Sequence, residues 1–456
     1  MPPDGNGRGR HRGSPGRSAV TRPAGASPGR PAIAAAIASA IAGRPVIAAA
    51  IVAAAIVSLS APAAADVTAS GSVGAGVFAG QAASTAEVGV DAAGIGYAVG
   101  LGAGARFLAE DGFRGQEWDE ASEWVRVVRY ALLRRGDPPG DGGEPDAAWV
   151  AAAVGELGGV TLGHGALIDG FAGGLDVDHG RVGVQVSAGR GDLVGELVVD
   201  DVVAPRIAGA RVAMRPGGRA VLGVSAAGDR AAPSMEEGEE AIGGVAIDGE
   251  LGGVTDGGGR GALHADLVHL VGLGVGLHIG ARGLIELGES LRVGGGAELR
   301  AGSDHYLPGW IGPLYERDRR QLGDDDAMAG QLDAARAGGL GGIGVAGQLT
   351  AEVPDRVDVS LGYAGRPGLA DLVTARVAAP HRAGAQVALW AAAEVEGRAA
   401  EAMALAFELR VRLPGRWFVR GDVARLYREG DDGSFAPIWL GQVALGSMLG
   451  GDSSRH

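Results

Sequence analysis

The stretch GYAVGLGAGARF, residues 96–107, decides the fold class, because apolar and bare positions alternate strictly along it. Tyr97, Val99, Leu101 and Phe107 stand at odd positions, whereas the even positions are small or charged. Successive side chains of a β-strand point to opposite faces, so this pattern predicts a strand with one apolar and one nearly bare face. A phosphate-binding loop needs a strand before its glycines and a helix after them, and here the alternation continues through the glycines.

The same period of two returns along the chain, at residues 271–282, 357–363, 403–413 and 417–427. One segment departs from it. In EWVRVVRYALLRR, residues 123–135, Arg126 and Arg129 stand on opposite parities. A β-bulge or a rim position is therefore expected there.

The composition excludes several classes of protein. The chain has 456 residues, of which 85 are glycine, and 46% hydrophobic residues with a mean hydropathy of +0.14. Apolar residues are too abundant for a disordered chain, and the glycines lack the three-residue period of collagen. There is no cysteine, which excludes disulfides and thiolate metal sites. A net charge of −14 argues against a nucleic-acid partner.

The N-terminal segment reads as a targeting sequence. Residues 1–65 are basic, and VIAAAIVAAAIV at 46–57 is an apolar core followed by small residues at Ala63 and Ala65. This order predicts a secretory signal peptide, with an uncleaved membrane anchor as the alternative. We therefore expect a signal peptide at 1–65, one barrel domain at 66–450 and a short tail at 451–456.

The length of the alternating runs distinguishes membrane strands from soluble ones. Soluble sandwiches use strands of about 5–6 residues, whereas these runs reach ~10–13, the span of a tilted membrane strand. In the run 417–427, Trp417 and Tyr427 stand at the two ends of one apolar face, as two interfacial aromatic girdles require. Arg425 shares that face near its end, where its side chain could snorkel. A soluble secreted β-protein remains the alternative.

The connections alternate between short and long. Tight turns are predicted at 287–290, 353–356 and 413–416. Longer polar links are expected at 108–122, 136–146, 226–245, 303–340, 365–368 and 428–437. Outer-membrane barrels have short periplasmic turns and longer external loops. The sequence therefore predicts an all-β, transmembrane antiparallel up-and-down barrel of about 14 strands (12–18 possible), with its C-terminus in the periplasm.

In its signal peptide, strand length and turn alternation, the chain resembles Gram-negative outer-membrane β-barrel proteins of the porin-like kind. The run GELGGVTLGHGALIDGF, residues 155–171, is similar to a segment of uncharacterised exported barrels. The resemblance implies an outer-membrane location, contact with outer-membrane lipid and recognition by the barrel assembly machinery. Such barrels usually end in an aromatic residue, which this chain lacks, so an assembly signal is expected further inside, between Trp439 and Leu449.

Two histidine-containing segments are candidates for a special role. His264, Asp266 and His269 could bind a metal, but on a strand His269 faces away from the other two, so no metal site is predicted. His164 lies between two glycines, where a constriction loop or plug could form, although an ordinary turn is the simpler interpretation. No nucleophilic triad or paired-glutamate arrangement stands out, so no catalytic or cofactor-binding residue is predicted. The chain is not expected to be an enzyme, with an outer-membrane esterase or protease as the alternative.

Charged residues on the bare faces are predicted to line the lumen, because on a lipid face each would cost ~2–4 kcal/mol near the midplane. They are Arg106, Arg282, Glu408, Arg410, Arg412, Arg420 and Asp422. They would either line a water-filled pore or pair with each other across strands and fill the interior.

These observations predict a passive channel for small hydrophilic solutes. One alternative is a closed structural or surface-interaction barrel. Another is a transporter of hydrophobic substrates, in which the residues after Asp66 would enter the lumen as a plug. No cofactor is expected, and a homo-oligomer is possible.

Overall fold

The structure is a computed structural model. It describes residues 66–114, 125–136, 147–216, 219–234, 238–254, 259–288, 290–320, 330–354, 356–379, 385–395, 403–429 and 435–450. The predicted signal peptide at 1–65 and the tail at 451–456 lie outside the described residues and stay predictions.

The described residues form 23 strands and two short helices. The strands are β1 Asp66–Phe78, β2 Gln81–Gly94, β3 Tyr97–Leu108, β4 Gly112–Phe113, β5 Val128–Arg135, β6 Ala148–Gly155, β7 Gly158–Val160, β8 Phe171–Ala172, β9 Gly183–Arg190, β10 Leu193–Val199, β11 Ile207–Met214, β12 Ala220–Ser234, β13 Gly238–Val254, β14 Arg260–Leu270, β15 Val275–Glu286, β16 Arg292–Gly302, β17 Gly342–Val353, β18 Val357–Ala364, β19 Leu372–Ala379, β20 Ala385–Glu394, β21 Met403–Arg412, β22 Trp417–Glu429 and β23 Phe435–Leu449. The helices are α1 Tyr315–Asp318 and α2 Gln331–Ala337. Neither of these, nor any other helix of the described part of the chain, is long and apolar enough to cross a membrane.

Twenty of the strands close into one antiparallel barrel, and β4, β7 and β8 are short additions outside that ring. The seam joins β1 to β23, from Ala69 opposite Leu449 to Phe78 opposite Leu440. The antiparallel barrel is confirmed, whereas about 14 strands, and the range of 12–18, is wrong. The estimate assumed too much chain per strand. Residues 226–245, predicted as a link, lie mostly in the long hairpin of β12 and β13.

The two faces of each strand differ as the alternation predicts, and β15 shows this clearly. Val275, Leu277 and Ile279 are exposed on the outside, whereas Gly276 and His278 between them are buried inside. Comparable exposed apolar side chains stand on strands all round the barrel. The apolar rows therefore form an outer surface and do not pack sheet against sheet. Only the start of the predicted run 271–282 differs, because residues 271–274 form a turn.

The connections alternate as expected over most of the barrel, but the link predicted at 136–146 joins β5 to β6 at the end of the predicted tight turns, so that part of the prediction is wrong. The predicted tight turns 287–290, 353–356 and 413–416 join β15–β16, β17–β18 and β21–β22 at the end of the barrel where β1 begins and β23 ends. The two longest connections with described residues, 156–182 and 303–341, lie at the opposite end. The chain termini of the barrel thus share the end with the short turns.

Two local predictions have different outcomes. The bulge predicted near Arg129 is confirmed, since Gly100 pairs with Tyr130 while Leu101 pairs with Val128 and Arg129 is skipped. Tyr427 was expected at a lipid interface, and this is wrong. It is only 2% exposed, because loop residues Leu175 and Leu314 pack with it.

Candidate functional site

The connection between β6 and β9, residues 156–182, folds into the barrel and crosses its interior. On one side the His164 ring hydrogen-bonds Asp266 of β14 and Glu250 of β13, at 2.9 and 3.0 Å. On the other side Leu175 accepts a backbone hydrogen bond from Tyr427 of β22 at 3.0 Å. β22 lies about half-way round the barrel from β13. We call residues 156–182 the plug loop.

A second long connection, residues 303–341 between β16 and β17, packs on the plug loop. Ile168 and Ile311 form a parallel bridge, with backbone hydrogen bonds of 3.0 and 3.1 Å on either side. Tyr315 of α1 donates a hydrogen bond of 2.9 Å to Asp229 of β12, and Glu316 accepts one of 2.8 Å from Arg181. We call residues 303–341 the support loop, because it ties the plug loop to the wall.

The two loops and the adjacent wall share one apolar core. Phe171 and Ile168 of the plug loop, Ile311 of the support loop and Ile207 of β11 are all completely buried in it. Burial of apolar area on this scale is the main stabilising contribution available to a loop inside a polar lumen. The plug loop is therefore a packed element and not an ordinary turn, so the simpler interpretation of the segment around His164 is wrong.

Glycines on the inner face of the barrel wall make room for the two loops. A Cβ built on Gly244 would lie 2.7 Å from Leu167, and one on Gly209 would lie 2.6 Å from Ile168, distances that real Cβ contacts essentially never show. In the opening stretch, Gly100 likewise leaves space for the ring of Tyr130. The glycine-rich face thus points inward, where large side chains from neighbouring strands and loops fill it.

A cavity of about 780 Å³ remains between the plug loop and the wall formed by β14 to β22. Polar side chains line it from both sides. The loop and β14–β16 contribute Glu156, His164, Asp169, His264, Arg282, Glu298 and Arg300, and the facing wall contributes Gln348, Thr350, Asp358, Ser360, Thr374 and Arg376. A volume of this size is in the ~300–1,000 Å³ range of small-molecule pockets.

The charged side chains next to the plug loop are held in place by each other. Arg211 binds Asp248 through Nε at 2.8 Å and Nη2 at 2.6 Å, and reaches Glu196 at 3.1 Å. Arg300 pairs with Glu298, and with Asp169 of the plug loop at 3.1 Å. Charge pairs of this kind stay hydrogen-bonded inside a low-dielectric interior.

His164 is the charged contact that anchors the plug loop to the wall. Its side chain is only 4% exposed. Burial alone would lower the pKa of His164, but its hydrogen bonds to Asp266 and Glu250 outweigh that effect and raise the pKa to about 9. At neutral pH the ring is therefore an imidazolium that bridges two carboxylates.

The structure places the seven residues predicted to line the lumen in different surroundings. Arg282 lines the cavity and pairs with Glu250. Arg420 of β22 forms a two-pronged pair with Glu87 of β2 at 2.7 Å and also contacts Asp422 at 2.7 Å.

The remaining four stand beside charged or aromatic neighbours, or are exposed. Arg410 lies 3.8 Å from Glu408, Arg106 stacks on the ring of Phe78, and Arg412 is exposed.

The HADxxH segment divides between the two faces as its parity indicates. His269 is exposed on the outside of β14, whereas Asp266 is 1% exposed on the inside. Sequence reasoning missed that Asp266 meets His278 and Glu298, from the next two strands. Both stand on the same inner parity as Arg282 and Arg300, so the alternation that selected Arg282 could have selected them. The alternative of a transporter plugged by its N-terminal residues is wrong, because the residues after Asp66 form strand β1 of the barrel wall.

Comparison with known proteins gives only distant likenesses. No protein-family model matches the sequence, and no curated protein matches it. Among solved structures it is similar to OccAB3 of Acinetobacter baumannii, with 11% identity, 85% of this chain and 99% of that chain covered, and a TM-score of 0.33. It is also similar to the outer membrane protein OpdK of Pseudomonas aeruginosa, with 12% identity, 85% and 98% coverage and a TM-score of 0.33.

At such identities and TM-scores, the assignment of the fold rests on the molecule itself. A closed hydrogen-bonded ladder leaves no strand edge, and only a closed barrel satisfies every backbone group of membrane-spanning strands. Apolar side chains face outward and charged ones inward. The chain therefore has the architecture of a closed antiparallel β-barrel with an apolar outer surface, as the sequence predicts.

Proposed function

We propose that the protein is a passive outer-membrane channel for small hydrophilic solutes, which pass through the cavity between the plug loop and the wall. The main supporting observation is that positively charged, negatively charged, amide and hydroxyl side chains line this cavity. The outside of the barrel is apolar. Water and hydrated solutes are stable beside such groups, and mixed charges tune which ions enter.

The apolar outer surface of the barrel is suited to contact with the lipid of an outer membrane. Val88, Leu263, Leu299 and Val443 are each more than half exposed although they stand on four different strands. Water would disfavour so many exposed apolar side chains, whereas lipid would not. Contact with outer-membrane lipid, insertion by the barrel assembly machinery after removal of residues 1–65, and a possible homo-oligomer belong to the same proposal. No enzymatic role or nucleic-acid partner is proposed.

A closed structural barrel is the second candidate, and one observation favours it. The plug loop and the support loop fill the side of the interior next to β11–β16 with a buried apolar core. If the remaining cavity does not extend through the barrel, the protein would act at its surface and not as a passage.

Planar-bilayer recordings of the refolded chain distinguish these functions. A channel gives stepwise currents whose size scales with the salt concentration. A barrel that is folded, as judged by its heat-modifiable gel migration, and yet shows no current would establish the closed alternative.

A further inference from the structure

Three strands of the wall bring metal-ligating side chains together beneath the plug loop. Asp266 of β14 stands directly opposite His278 of β15 in the ladder, and Glu298 of β16 lies one inner position further along. Their ligand atoms lie within 4.8 Å of one another. His278 Nδ1 and Glu298 Oε1 are 3.3 Å apart. Two ligands held at ~2.0–2.1 Å by one tetrahedral ion would be about 3.3–3.4 Å apart.

The cluster has buried polar atoms whose hydrogen-bonding capacity is unused. His278 is completely buried and Asp266 is 1% exposed. Among the described residues, neither His278 Nδ1 nor Asp266 Oδ2 has a hydrogen-bond partner. Buried polar atoms are almost always satisfied, so two unsatisfied atoms in one cluster of ligand-type side chains indicate a missing ligand.

The opposite nitrogen of His278 is fixed by a residue of the support loop. Tyr306 lies against the bare positions Gly276 and Gly302, where a Cβ would overlap its ring. This position brings the Tyr306 hydroxyl to 2.8 Å from His278 Nε2. When Nε2 carries the proton and donates it to the hydroxyl oxygen, Nδ1 has the lone pair that a metal needs. An outer hydrogen bond of this kind fixes the tautomer and the ring orientation of a metal-binding histidine.

His264 lies beside the cluster. His264 Nε2 lies 3.0 Å from Glu298 Oε2, and it reaches across Gly280, whose missing side chain leaves room for the ring. Imidazole and carboxylate ligands together favour zinc and related transition metals over calcium or magnesium.

We propose that Asp266, His278 and Glu298 bind one divalent transition-metal ion of the zinc class. The ion would join β14, β15 and β16 under the plug loop. His264 and Glu298 also line the cavity of the proposed passage, but the site can be tested without a current, so its failure and that of the channel are distinguishable.

Equilibrium dialysis of the refolded full-length chain against ZnCl₂, with the metal content measured by mass spectrometry, tests the site. We expect one bound Zn²⁺ per chain. The near-isosteric Glu298→Gln and the ligand variant His278→Gln should each weaken binding at least ~10-fold, as should Tyr306→Phe through the outer contact. His269→Gln is the matched control, because it removes an exposed imidazole of the same strand and should leave binding unchanged.

Three results would overturn the proposal. They are no Zn²⁺ bound by folded wild-type protein, unchanged binding in folded Glu298→Gln and His278→Gln, and loss of binding in His269→Gln. Should both ligand variants fail to fold, Co²⁺ bound to the wild type decides. Strong visible absorption of a four-coordinate ion supports the site, and the weak absorption of a six-coordinate ion contradicts it.

Discussion

The two sides of the barrel interior differ in how their side chains are held. Along β11–β16, inner side chains meet the plug loop, and charges such as Arg211 and Arg300 are buried in ion pairs. Along β17–β21, inner side chains such as Ser360 and Thr374 face the cavity, and Arg376 is exposed with no ion pair among the described residues. Packing thus gives the first side rigidity, whereas the second side is free to contact solutes.

Removing the plug loop should have the largest effect, because it abolishes the difference between the two sides. Gly155 of β6 pairs with Gly183 of β9, so residues 156–182 can be replaced by a two-residue Asn-Gly hairpin turn without a change of register. We expect the single-channel conductance to rise several-fold. Heat-modifiable migration serves as the folding control. A folded variant with wild-type conductance would show that the plug loop does not restrict the passage.

Neutralising a charge should affect stability only on the packed side. Arg211→Gln leaves Asp248, 4% exposed, without its charge partner, and should cost about 3–5 kcal/mol of unfolding free energy. Arg376→Gln faces the cavity and should cost less than ~0.5 kcal/mol. Urea unfolding followed by tryptophan fluorescence measures both. Equal losses of unfolding free energy in Arg211→Gln and Arg376→Gln would contradict the difference between the packed side and the cavity side.

Adding one methyl group tests how tightly the loops pack on the wall. In Gly276→Ala the new Cβ overlaps the Tyr306 ring, and we expect a loss of ~1–3 kcal/mol in unfolding free energy. Gly283→Ala is the control on the same strand, since its Cβ would meet only the Arg260 carbonyl at 3.4 Å. The same urea titration applies. If the two variants are equally stable, Tyr306 is not packed against the wall.

The smallest effect is expected from Arg376, the cavity-facing charge on the side of the barrel formed by β17–β21. Arg376→Gln removes one positive charge from the cavity lining, so the reversal potential in a salt gradient should shift towards cation selectivity. Arg376→Lys keeps the charge and should behave as the wild type. An unchanged reversal potential in Arg376→Gln would place the ion path away from β19.

Local alternation was sufficient to predict the barrel but not its interior. The parities of Ile279 and His278, and the bulge at Arg129, follow from adjacent residues, because the direction of a side chain on a strand depends only on its position. The strand count failed where a polar stretch such as 226–245 continued as strand beyond the expected turn.

The plug loop and the ligand cluster depend on contacts between distant parts of the chain. His164 and Asp266 are 102 residues apart, and Arg300 and Asp169 are 131 apart. Barrel closure sets which strands lie opposite each other, and no local pattern encodes that pairing. The inner parity of His278 and Glu298 could be read from the sequence, but their meeting with a loop could not.

Single cysteines test the passage most directly, since the chain has none of its own. Ser360 lines the cavity, whereas the next residue, Leu361, is 49% exposed on the outer face of the same strand. In planar bilayers, a charged methanethiosulfonate reagent should reduce the current of Ser360→Cys and leave that of Leu361→Cys unchanged. An unchanged current in Ser360→Cys, or a reduction only in Leu361→Cys, would contradict a solute path between the plug loop and the wall.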